Sequence, residues 1–95
     1  MEDTVELGGN IQLTGFSNVD GASMIILKKI VGNYAKKFSE KSSGFRKLKI
    51  IMNSEEGYNF NAEVVTEGNS IIAETKDNNL FFALDSALKE IESKL

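Results

Sequence analysis

The chain has 95 residues, 41% of them hydrophobic and 26% charged, with a net charge of −3. This length and composition are typical of a globular protein and argue against intrinsic disorder. The sequence contains no Cys and no His, which excludes thiolate chemistry, Cys metal sites and the usual general base near neutral pH. We therefore expect a protein that is not an enzyme and uses no cofactor or metal. No apolar run approaches the roughly 20 residues of a membrane span, and the acidic start is unlike a signal peptide, so a cytoplasmic location is expected.

The first ten residues are acidic and end in Gly8-Gly9-Asn10, a cluster that breaks regular structure. Val5 and Leu7 alternate with polar residues, as they do in a strand with one apolar face. Residues 1–10 are therefore predicted to form an acidic arm or an edge strand, and residues 11–95 a single domain.

The next two elements are a short strand and a long helix. Residues 11–14, Ile-Gln-Leu-Thr, alternate with period two and predict a strand that ends at Gly15. Asp20 is the predicted N-cap of the helix, which should end at Ser42-Ser43-Gly44. Apolar residues at three- and four-residue spacing predict its buried stripe: Met24, Leu27, Ile30, Val31, Tyr34, Ala35 and Phe38.

Three strands and a closing helix are predicted in the second half. The strands cover residues 48–52, 58–64 and 71–73 and are joined by turns at residues 54–57 and at Gly68-Asn69. Asp77 or Asn78 is predicted to cap the closing helix. The apolar stripe of that helix consists of Leu80, Leu84, Ala87, Leu88, Ile91 and Leu95.

The predicted order of elements is β-α-β-β-β-α, in which the first two strands are joined through a helix and are therefore parallel. The later neighbours are hairpins and are antiparallel. This order predicts an α+β two-layer sandwich, with two helices on one face of a four-stranded mixed sheet. The other sheet face would be open to solvent.

Positive charge is concentrated in the middle of the chain. Eight of the eleven basic residues lie between Lys28 and Lys49, where Glu40 is the only acid. Lys28, Lys29, Lys36 and Lys37 fall opposite the apolar stripe of the first helix. Such a surface is typical of contact with nucleic acid or the ribosome, although a solvated helix face and an acidic protein partner remain alternatives.

Two other groups of residues are candidates for a function. Glu63 and Glu74 are predicted to lie directly opposite each other on the open sheet face, where paired carboxylates can bind a hard cation. We favour simple neutralisation by Lys49 on the neighbouring strand, because an open face offers no burial to shift a pKa. Phe81 or Phe82 is surplus to the stripe of the last helix and could stack on a base, but we favour a core position for it.

Three segments resemble the ribosome hibernation promoting factor family, the ribosome-associated inhibitor A or sigma-factor modulation proteins. Residues 11–15 are similar to the family's I-x-I-T-G strand. Residues 61–65, the Gly68-Asn69 turn and residues 71–74 are similar to its last hairpin. Asp77 with residues 80–87 resembles its closing D-M-Y-A-A-I-D-x-A helix. The resemblance covers roughly Asn10 to Leu95 and is that of a distant or archaeal-type member.

The resemblance implies a βαβββα fold like that of double-stranded RNA-binding domains. It also implies a non-catalytic partner of the small ribosomal subunit or of structured RNA, acting on translation as a monomer or weak homodimer. The residues implied to face RNA are Lys28, Lys29, Lys36, Lys37, Lys41, Arg46 and Lys47. The alternative prediction is a protein-interaction module or homodimer that uses the open sheet face around Ile51, Val65 and Ile72.

Overall fold

In a computed structural model, residues 4–53 and 57–95 are described. Most of the predicted turn at residues 54–57 lies outside the described residues, apart from Gly57. The elements in chain order are β1 (Thr4–Leu7), β2 (Ile11–Thr14), α1 (Gly21–Lys41), β3 (Phe45–Asn53), β4 (Tyr58–Thr66), β5 (Asn69–Asp77) and α2 (Leu80–Lys94).

The strands form one mixed sheet in the order β1-β2-β3-β4-β5. Among the strands of the described residues, β2 and β3 alone are parallel, because α1 connects them, and the other neighbouring pairs are antiparallel. The predicted α+β class with two helices is confirmed. The predicted number of four strands is wrong, because Thr4–Leu7 adds a fifth strand that returns along β2 through Gly8 and Gly9, whose φ angles are 65° and 88°.

The core lies between the helices and one face of the sheet. Leu13 on β2 is opposite Ile50 on β3, and Ile50 is opposite Ala62 on β4; all three side chains are fully buried. Both helices pack on this face, because their apolar stripes belong to the same buried cluster. The helical side chains buried there are Leu27, Val31, Tyr34, Ala35 and Phe38 from α1, and Ala83, Leu84, Ala87, Leu88 and Ile91 from α2.

The ends of α1 are those predicted from the sequence. Oδ2 of Asp20 accepts a 3.0 Å hydrogen bond from the backbone N–H of Ser23, which satisfies a free donor of the first turn. This bond lowers the pKa of Asp20. At the other end, the N–H of Ser42 donates to the carbonyl oxygen of Phe38, and Lys41 lies in the last turn beside the negative end of the helix dipole.

The predicted cap of α2 is wrong by one or two residues. The capping residue is Asn79, whose Oδ1 accepts a 2.9 Å hydrogen bond from the N–H of Phe82. Asp77 instead accepts a hydrogen bond from the N–H of Asn79. Residues 77–79 can all cap a helix, so the sequence did not identify the capping residue. Because β5 extends to Asp77, the helix begins later than predicted, and Asn79 is its cap.

The β4–β5 hairpin turns one residue earlier than predicted. Thr66 is opposite Asn69, so that Glu67 and Gly68 form the loop. Gly68 has a φ of 86°, and a turn of this kind needs a residue that tolerates positive φ at this position. As a consequence, Glu63 lies opposite Ile72 and Glu74 lies opposite Asn61, which corrects the prediction that the two glutamates face each other.

Gly15 allows the chain to leave β2 beneath the end of β3. Its φ is 88°, and a Cβ atom at this position would collide with the carbonyl oxygen of Met52. The close approach brings Phe16 into the core, where it is 2% exposed and its ring centroid lies 5.9 Å from that of Phe60. Only glycine fits both the backbone conformation and the space.

Candidate nucleic-acid interface

The lysine face of α1, which we define as Lys28, Lys29 and Lys36, points away from the core. All three side chains are exposed, and Lys29 and Lys36 fall directly opposite the buried stripe. Lys36 lies about 11 Å along the helix axis from Lys28 and Lys29, at a rise of 1.5 Å per residue. In the described part of the chain, the ion pairs involve Lys89 and Lys94 rather than these lysines. Their charges are therefore available to an outside partner.

Lys37 and Lys41, predicted to belong to the same set, lie on the side of α1 that adjoins α2. The Lys37 ammonium group is 5.2 Å from the centre of the Tyr34 ring, a distance at which a cation is attracted by the ring face. Nζ of Lys41 is 3.5 Å from the carbonyl oxygen of Glu92 on α2. Part of the positive charge of α1 is therefore directed to contacts within the protein.

A tyrosine and an aspartate connect the two helices beside Lys37. The Tyr34 hydroxyl donates a 2.7 Å hydrogen bond to Oδ1 of Asp85, and Oδ2 of Asp85 is 3.1 Å from Nζ of Lys89. The hydrogen bond lowers the pKa of Asp85, with further help from Lys89 and Lys37. Burial and the bond to Asp85 raise the pKa of Tyr34 well above its usual value.

Arg46 and Lys47 lie apart from the lysine face. The register of β3 shifts between Phe45 and Lys47, which leaves exposed Arg46 at an irregularity of the strand. Lys47 lies opposite Val65 and two residues before Lys49 on β3. Its side chain is therefore on the same face of the sheet as that of Lys49, the open face. The seven predicted RNA-facing residues are thus divided between α1, one strand irregularity and the opposite face of the sheet.

The open sheet face mixes charges with apolar side chains. Lys49 lies opposite Glu63, as predicted, while Ile51 and Ile72 are 49% and 57% exposed. These residues line a shallow depression of about 240 Å³ together with Asn61. No group of three or more potential ligand residues able to hold a metal ion is found within residues 4–53 and 57–95.

A larger cleft, which the sequence did not reveal, lies where the amino-terminal ends of both helices meet. It has a volume of about 570 Å³ and is lined by residues from both cap regions, including Asp20, Ser23 and Asn79. The cap hydrogen bonds described above already use Ser23 N–H and Phe82 N–H. The carboxylate of Asp20 also opposes binding of an anion at this place.

Phe82 is a surface residue, which overturns the prediction of a core position for the surplus phenylalanine. Its side chain is 61% exposed, because it lies opposite the buried stripe of α2. Phe81 takes the inner position and packs against the core.

Over the described ranges, neither helix is both long enough and apolar enough to cross a lipid bilayer. Comparisons with protein-family models, curated proteins and solved structures gave no match. The resemblance to ribosome hibernation factors therefore stays a prediction that rests on the three sequence segments alone.

Proposed function

We propose that the protein is a cytosolic, non-catalytic RNA-binding protein that acts by occupying a phosphate-lined site, as ribosome hibernation factors occupy the small ribosomal subunit. The observation that carries the proposal is the lysine face of α1. Its three ammonium groups are exposed on a regular 21-residue helix and belong to no ion pair of the described residues.

The charge distribution supports this proposal. The whole chain is acidic, with a net charge of −3, so that attraction to phosphates depends on local concentration of lysines rather than on total charge. Each phosphate contact releases bound counterions, and affinity should fall with salt at a slope of roughly 0.7 to 0.9 per contact. Three lysines predict a slope of about −2 to −3 on logarithmic scales.

The experiment is co-sedimentation with ribosomes through sucrose gradients at low and moderate salt. We expect the protein to migrate with the small subunit at low salt and to be released as the salt concentration rises. The variant Lys28→Glu with Lys36→Glu should lose this co-migration while its thermal melting temperature stays within a few degrees of the wild type, because both side chains are exposed.

The control variant carries Lys49→Glu with Lys76→Glu, which changes the net charge equally on the open sheet face. We expect it to co-migrate as the wild type does. Absence of co-migration at low salt, or co-migration that survives reversal of the lysine face, would contradict the proposal. Equal losses in both double variants would show that net charge alone controls binding.

A second candidate function is a protein-interaction module that uses the open sheet face. The observation that favours it is that Ile51 and Ile72 are exposed on that face and line the same depression, because exposed apolar surface of this kind can mark a contact site. Light scattering at several concentrations tests it. A wild-type dimer that persists at high salt, together with a monomeric Ile51→Ser, Ile72→Ser double variant, would support a protein-interaction function for the open sheet face.

A further inference from the structure

Phe82 is an aromatic side chain presented to solvent on a regular helix. It is 61% exposed, and the side chain of Asn79 holds its backbone N–H at the first turn of α2. Neighbouring Ala83 and Leu84 are fully buried, so that the helix fixes the direction in which the ring projects. A ring held in this way loses little conformational freedom when it binds a partner.

The two helices place Phe82 at the same level along the helix axis as the lysine face. Tyr34 contacts Asp85 and Lys41 contacts Glu92, both at a separation of 51 residues, which shows that α1 and α2 run in the same direction. Each residue of α2 thus lies level with the α1 residue whose number is 51 lower, so that Phe82 lies level with Val31. This level lies between Lys29 and Lys36, and packed helices lie about 8–10 Å apart. The ring therefore lies on the adjacent helix, between the two levels of positive charge.

The surroundings of Phe82 distinguish a nucleobase from a protein partner. Its neighbours three and four positions away along the chain are Asn78 and Asn79 before α2, and Asp85 and Ser86 within it, all polar. A protein hot spot, in contrast, is typically surrounded by well-packed contacts that exclude water. Among the exposed side chains of α1, Lys29 lies about 3 Å along the helix axis from the level of Phe82. Lys36 and the exposed isoleucines at positions 25 and 26 lie about 8–9 Å from it. An exposed aromatic ring on a helix packed beside one that carries exposed lysines can stack on a base while the lysines neutralise phosphates.

We propose that Phe82 stacks on an unpaired nucleobase, and that the RNA bound by the lysine face therefore presents a base outside a double helix, in a loop, a bulge or a single strand. This inference rests on the proposed function, because it assumes that the lysine face binds RNA. Lysines alone do not distinguish one RNA structure from another, because every RNA has phosphates. Stacking by Phe82 would favour RNAs that have an unpaired base.

The experiment measures fluorescence anisotropy of two labelled RNAs with equal numbers of phosphates, a hairpin with an unpaired loop and a fully paired duplex. We expect the wild type to prefer the hairpin. Phe82→Ala and Phe82→Leu should weaken hairpin binding by about 5- to 100-fold and leave duplex binding unchanged. Phe82→Tyr should bind the hairpin as the wild type does, because its ring still stacks.

The outcomes separate the two proposals. Lys28→Glu with Lys36→Glu should reduce binding of both RNAs, and this result with no effect of Phe82→Ala would overturn the stacking inference alone. Equal wild-type affinity for hairpin and duplex would also overturn it. Failure of the wild type to bind either RNA would overturn both proposals. Circular dichroism of each variant confirms folding, which an exposed position should not affect.

Discussion

The hydroxyl of Tyr34 and the carboxylate of Asp85 form a 2.7 Å hydrogen bond that joins α1 to α2. Tyr34 is 8% exposed and adjoins the ring of Phe38, with centroids 5.8 Å apart. The bond therefore links the buried edge of one helix to a polar side chain at the surface of the other. It fixes the relative position of the two helices that carry the lysine face and Phe82.

Tyr34→Phe should destabilise the protein by roughly 1 kcal/mol. A hydrogen bond to a charged acceptor contributes more than a neutral one, but the Asp85 side chain is 38% exposed, and solvent screening reduces its contribution. The measurement is unfolding in urea at neutral pH. Tyr58→Phe is the control, because no hydrogen bond of its hydroxyl is seen within the described residues, and it should change stability by less than about 0.5 kcal/mol.

The stability difference between the wild type and Tyr34→Phe should depend on pH at both extremes. The pKa of Asp85 is lowered in the folded state, so its contribution is present above the unfolded value near 3.8 and is lost as the pH falls through the folded pKa. The pKa of Tyr34 is raised from 10.0, so its contribution is complete below about pH 10 and is lost as the pH rises further. Urea titrations from pH 3 to pH 11 should show a plateau between these limits. A constant difference over this range would contradict the lowered pKa of Asp85 and the raised pKa of Tyr34.

Two glycine substitutions should have opposite effects. Gly15→Ala places a Cβ against the carbonyl oxygen of Met52 at a φ of 88°, and we expect a loss of at least about 2 kcal/mol. Gly32→Ala lies within α1, where an added Cβ meets no atom within 4 Å, and should stabilise the protein by about 0.5–1 kcal/mol. Thermal unfolding of both variants checks the pair, and a stable Gly15→Ala variant would refute the close approach of the two strands.

Lys94 should protect the outer edge of β5 from pairing with other chains. Its Nζ donates a 3.1 Å hydrogen bond to the carbonyl oxygen of Ile72, on a nine-residue strand that pairs only with β4 within the described ranges. Exposed strand edges promote association, and lysine is one of the residues that prevent it. Lys94→Ala should increase self-association in sedimentation velocity runs at rising concentration. Lys89→Ala removes the same charge and a similar ion pair, and the two variants should differ.

The sequence predicted those features that depend on short periodic patterns. The stripe and both ends of α1 follow from residues three and four positions apart and from Asp20, and they are found in the structure. The hairpin register depends on which residue adopts positive φ. Gly68 adopts positive φ at the third position of the turn, whereas the sequence predicted it at the second. The strands therefore pair in a different register from the predicted one, and Glu63 does not lie opposite Glu74.

The composition of the candidate site was harder to predict. Exposure of Lys28, Lys29 and Lys36 follows from the helical period, but the direction of Lys37 toward Tyr34 depends on where α2 packs. Phe81 and Phe82 are chemically equal in the sequence. The apolar stripe of α2 decides which ring is exposed, because Phe82 lies opposite the buried residues and Phe81 lies nearer to them.

The β2–β3 boundary has a consequence for how the molecule opens. Only four residue pairs join these strands, while nine join β4 to β5, and the chain between β2 and β3 runs through the 21 residues of α1. Partial unfolding is expected where few contacts hold elements distant in sequence. Backbone amides of β1 and β2 should therefore exchange with deuterium together and sooner than those of β4, as one cooperative unit that detaches while the three-stranded meander of β3, β4 and β5 persists.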